Sequence, residues 1–130
     1  MELDAKQQVL MAIYTEYQKD VPQMYVNVNP DSLQIDPQVF TIAVEKLLNE
    51  GLITDASVHR AVAGFVAMPI MDNCKMTRYG IEYVETKAGL NPTDNAEEKI
   101  KSLRQTFTEW GIERLENVAA KWLAEMTKGP

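Results

Sequence analysis

The chain has 130 residues, 45% of them hydrophobic, with 13 basic and 19 acidic side chains and a formal net charge of −6. That length fits one compact domain with an appendage, and the composition excludes an intrinsically disordered chain. Residues 1–90 carry 7 basic and 12 acidic residues against 6 and 7 in the remainder, so the first part is the acidic one and broad attraction to phosphate, which needs Lys and Arg, is disfavoured.

Asp4 is placed to cap a first helix from about Ala5 to Lys19, with Gln7 where a capping box needs it. Leu10, Ile13, Tyr14 and Tyr17 line one face of that helix, and Pro22 stops it. In QMYVNVNP, Met24, Val26 and Val28 alternate with Tyr25 and Asn27, which predicts a short strand. Asn29-Pro30-Asp31 reads as a turn, and DSLQI as one or two helical turns anchored by Leu33 and Ile35.

The stretch DPQVFTIAVEKLLNEGLI, Asp36 to Ile53, organises the chain. Asp36 suits the N-cap, Pro37 the first helical position and Gly51 the position past the C-terminus. At about 100° per residue, Phe40, Ala43, Val44, Leu47 and Leu48 share the inner face. Gln38, Thr41, Ile42, Glu45, Lys46 and Asn49 share the outer one. LITDASV then reads as a strand, His59 to Gly64 as a hairpin tip, and AVAGFVAMPIMD as the return strand. That return run is apolar at nearly every position, so its second face needs a cover, and Pro69 suggests an edge or a bulge.

Thr77 caps a further short helix with Ile81, Val84 and Ala88 on one stripe and Tyr79 and Tyr83 on another; Gly89 ends it. From about Ala96 to Thr127 the chain is helical by composition, but its apolar stripe breaks. Ile100, Leu103, Phe107 and Trp110 share one face; Ile112, Leu115, Ala119, Trp122, Leu123 and Met126 share another, turned by roughly a quarter to a third of a revolution. A kink at Gly111, a π-bulge or two separate helices would each accommodate the jump. A straight helix with two partners would do so as well. One half is expected to cover the apolar hairpin, and the Ile112–Met126 face is the candidate dimer surface.

Little in the sequence carries chemistry. His59 and Cys74 are the single His and Cys. They lack metal-ligand spacing, and one cysteine forms no internal disulfide, which suits a reducing cytoplasm. Carboxylates fall on predicted helix surfaces, where solvation is their ordinary state. Gly-rich phosphate loops, an apolar signal core and a run of about 20 apolar residues are absent from the sequence. The expectation is a cytoplasmic, non-catalytic protein without cofactor or metal.

VEKLLNEGLI, an apolar hairpin and KMTRYGIEYVE together resemble the small winged-helix family of YjcQ type from bacteria and their phages. Its chains show a helix ending in L-x-x-E-G-φ-I and a later L-T-x-x-G-x-x-Y-φ-E, φ being apolar. Here the matching residues are Leu47, Glu50, Gly51, Leu52 and Ile53, then Met76 in place of the usual leucine, Thr77, Gly80, Tyr83, Val84 and Glu85. The resemblance covers about residues 5–88 and specifies fold better than family. It implies a helper or regulatory role in a phage or prophage setting and supplies no catalytic residues.

The expected fold is mainly α (α+β): a winged helix-turn-helix domain over residues 1–90 with a small β-hairpin or three-stranded sheet. A long, kinked or divided C-terminal helical extension follows over 91–130, covering the hairpin, dimerising, or both. Two functions fit: a protein-binding or self-associating interaction module, or a dimeric sequence-specific DNA-binding regulator. Either would use Gln38, Thr41, Ile42, Glu45, Lys46 and Asn49, with Arg60 on the wing. One Lys and one Arg beside Glu45 make a weak footprint for DNA.

Overall fold

The computed structural model describes residues 2–59 and 68–127. It is mainly helical, with seven helices and one two-stranded antiparallel sheet among the described residues. The helices are α1 (Ala5–Tyr17), α2 (Met24–Asn27), α3 (Pro30–Leu33), α4 (Pro37–Asn49), α5 (Arg78–Ala88), α6 (Ala96–Trp110) and α7 (Glu113–Thr127). The strands β1 (Ile53–Thr54) and β2 (Lys75–Met76) lie between α4 and α5.

α1 is the axis of the molecule. Its capping box forms: Asp4 Oδ1 accepts from Gln7 N–H at 2.8 Å, and Gln7 Oε1 accepts from Asp4 N–H at 3.0 Å. Eight consecutive residues, Val9 to Glu16, are buried. A helix buried all round must be enclosed on every side, and α1 packs against α2, α4, α5, α7 and β2. The sequence showed one inner face; the enclosure comes from elements remote in the chain.

The strand expected at Met24–Val28 is instead α2, whose Val28 N–H donates to Met24 O at 2.8 Å. Met24 and Val28 are buried while Tyr25 and Val26 are exposed. The buried pair is spaced i, i+4, and an alternation this short does not separate the two periods. Asn29 and Pro30 open α3, Asn29 accepting from Ser32 N–H as its N-cap. α4 has the expected ends: Asp36 Oδ1 accepts from Gln38 and Val39 N–H, and Leu52 N–H returns to Leu47 O at 3.0 Å past Gly51. Burying Phe40, Val44 and Leu47 stabilises it by roughly 1.5–3 kcal/mol per side chain.

The sheet is small. Ile53 pairs with Met76 and Thr54 with Lys75, and one isolated bridge joins Ser57 to Ile70. The hairpin tip expected beyond His59, Arg60 included, and residues 61–67 of the return strand lie outside the described residues.

The C-terminal segment is two helices. Gly111, at φ 75°, takes the left-handed conformation that glycine tolerates best. There Ile112 N–H bonds Phe107 O at 3.1 Å and closes α6. α7 then packs on α6, α1 and α3. Leu115 and Ala119 are fully buried and Trp122 is 2% exposed, so the centre of the proposed dimer face is covered by the chain itself. Of that face, Ile112 and Leu123 are half-buried and Met126 is exposed. Residues on both sides of position 90, from Val9 to Trp122, belong to one hydrophobic core.

Candidate interaction surface

The C-terminal end of α4 is tied to α1 and to the start of α5. Lys6 on α1 pairs with Glu50 at the end of α4, Nζ to Oε2 at 2.8 Å and to Oε1 at 3.0 Å. The hydrogen bond to Glu50 raises the Lys6 pKa more than burial lowers it. Thr77 Oγ1 donates to Gly51 O at 2.6 Å, tying the start of α5 to the same corner.

Between α1 and α4 this leaves a groove of about 340 Å³, with Ala5, Val39, Ile42 and Ala43 along its apolar wall and Lys6, Gln38 and Lys46 beside them. Gln38, Lys46 and Asn49 are exposed, while Ile42 and Glu45 are half-buried. Thr41 is a correction to the expected face. It is 1% exposed, and its Oγ1 donates to Pro37 O at 2.9 Å with Met68 Sδ 4.0 Å away. A hydroxyl turned back on its own helix offers nothing to a partner. Val39, in the first turn of α4, is 44% exposed.

A second groove flanks the first turn of α4 on its other side, lined by Tyr25, Val26, Pro37 and Met68 among others. Three of these side chains are strongly exposed: Tyr25 at 73%, Val26 at 58% and Met68 at 50%. The predicted strand concealed this feature, because a strand would have set Val26 with Met24 and Val28 on one face.

Two carboxylates expected to be solvated are buried. Glu85 Oε2 accepts the Tyr14 hydroxyl at 2.8 Å and meets Lys99 Nζ at 2.8 Å. Burial, then the hydrogen bond to Glu85, pushes the Tyr14 pKa up. Glu16 Oε2 accepts Gln23 N–H at 2.8 Å, and its Oε1 meets Lys19 Nζ at 3.1 Å. A signal for both was present in the sequence: Glu85 follows Ile81 by four residues, and Glu16 follows Ile13 by three, each on an apolar stripe. Each carboxylate ties elements together, Glu85 joining α1, α5 and α6.

Cys74 is buried, which pushes its thiol up to about 12, with the Asp55 charge adding to the effect; such a thiol is unreactive near neutrality. Among the described residues no group of three or more His, Cys, Asp or Glu side chains could hold a metal ion. No described helix is long and apolar enough to cross a membrane. No family model, curated protein or solved structure matches this chain.

Proposed function

We propose that this chain is a non-catalytic interaction module that binds a protein partner around the N-terminal half of α4. The observation that carries this reading is the exposed apolar rim of Tyr25, Val26, Val39 and Met68 on both sides of that helix. Large apolar side chains clustered at a surface mark protein contacts more often than solvent. The order α1, α3, α4 and then an antiparallel strand pair supports reading this part as a winged helix used for protein contact. The resemblance to the YjcQ-type family, with a helper role in a phage or prophage setting, is part of the same proposal.

The competing reading is a DNA-binding regulator with α4 in the major groove. It leans on Gln38, Lys46 and Asn49, but Lys6 is already paired with Glu50 and the whole chain is acidic. Selection of peptides from a displayed library against the full chain tests the choice, with a Val26→Asp/Val39→Asp variant as counter-target. Peptides rich in apolar residues that bind the wild type and lose the variant support protein recognition. Binding to random-sequence duplex DNA that falls steeply between about 50 and 200 mM salt, and is abolished by Lys46→Glu, overturns it.

A further inference from the structure

A different cavity lies between α1, the α2–α3 segment and α7, away from the α4 grooves. It is open on one side and has a volume of about 150 Å³, room for a benzene-sized ring. Its acidic wall is already neutralised. Glu16 is held by Gln23 N–H and by Lys19, and Lys19 continues to Glu125 Oε2 at 2.7 Å. Burial works to lower the Lys19 pKa, but the bonds to Glu125 and Glu16 outweigh it.

The wall supplied by α7 is different. Arg114 and Lys121 pair with no carboxylate among the described residues. Arg114 spends Nη1 on two long bonds, to Leu33 O at 3.5 Å and Gln34 O at 3.4 Å. Its Nε and Nη2 have no protein acceptor there. Lys121 Nζ donates to Asn27 Oδ1 at 3.2 Å, a neutral partner. Trp122 also lines the cavity; it is 2% exposed, and its indole N–H is buried without an acceptor. Orphaned buried donors are uncommon in folded proteins. Gln34, on the rim, holds a left-handed backbone at φ 54°, a conformation that tends to persist where surrounding structure enforces it.

We propose that this cavity binds a small organic carboxylate. The carboxylate would sit on Arg114 and Lys121, whose donors complement two acceptor oxygens. The apolar body would lie against Val118 and the indole of Trp122. Lys19, Arg114 and Lys121 against Glu16 and Glu125 leave one positive charge in excess, which favours a monoanion over a dianion.

The test is a titration of the ¹⁵N-labelled full chain, following the two tryptophan indole N–H resonances, assigned with Trp110→Phe. Benzoate is the probe and benzamide its neutral counterpart. A saturable shift of the Trp122 resonance with benzoate, a stationary Trp110, and affinity about tenfold weaker for benzamide and in Lys121→Gln are expected. Arg114→Gln should weaken binding similarly; Lys121 is exposed, so its variant keeps the fold while testing the charge. No saturable shift up to about 10 mM benzoate, equal binding of benzamide, or undiminished binding in Lys121→Gln would overturn the proposal.

Discussion

At Thr77 one hydroxyl joins two segments 26 residues apart in sequence: its Oγ1 donates to Gly51 O and accepts from Gly80 N–H at 2.9 Å. The same contact brings Gly80 against the backbone of Leu52, where a Cβ would stand 2.0 Å from the carbonyl oxygen. Gly51, at φ 73°, has nothing within 4 Å of such a Cβ. The two glycines are therefore needed for different reasons. Gly80→Ala should cost about 2–3 kcal/mol, because α5 must move off a backbone atom. Gly51→Asn should be nearly neutral, since Asn tolerates the left-handed region. Urea midpoints of the two variants check this; a Gly80→Ala loss below about 1 kcal/mol would contradict the close approach. The two stretches read as separate motifs in the sequence, L-x-x-E-G-L-I and M-T-x-x-G, are thus one packed corner.

For the elements, α7 decides most. Trp122 lies on the face expected to dimerise, and the fold places it in the chain's own core. Trp122→Glu should therefore abolish the helical circular dichroism signal, since it buries an unpaired charge, whereas Met126→Glu, at a 52% exposed site, should leave stability within about 0.5 kcal/mol. A folded Trp122→Glu with altered mass alone would restore the dimer surface. The break in the α6–α7 stripe at Gly111 was legible because the face jumps there. Its resolution into two packed helices was not, since a kink and a turn leave the same mark on a helical wheel.

Across the whole molecule, the Tyr14–Glu85–Lys99 set links three helices and couples the fold's stability to alkaline pH. Tyr14 keeps its proton in the folded chain more tightly than at its ordinary value of 10.0. Its stabilising contribution is complete below that value and falls above it, because unfolding then releases a proton. Tyr14→Phe should cost about 1.5–3 kcal/mol at neutral pH, the range for a hydrogen bond to a charged group. The gap to wild type should narrow by about 1.4 kcal/mol near pH 11. Denaturant unfolding at the two pH values measures it; a constant gap would place the Tyr14 proton outside this linkage.

What the sequence determined by itself is local. Helix ends at Asp4, Asp36, Gly51, Thr77 and Gly89 depend on hydrogen bonds within a few residues, and the inner stripe of α4 on a single period. Tertiary structure decided everything that needs a second segment. It enclosed α1 on every side, turned the i, i+4 pair Met24 and Val28 into a helix, buried Thr41, Glu16 and Glu85, and drew Arg114, Lys121 and Trp122 beside Glu16. The physical reason is the same in each case: burial and charge pairing are properties of what lies opposite, and a helical wheel shows only which residues share a side.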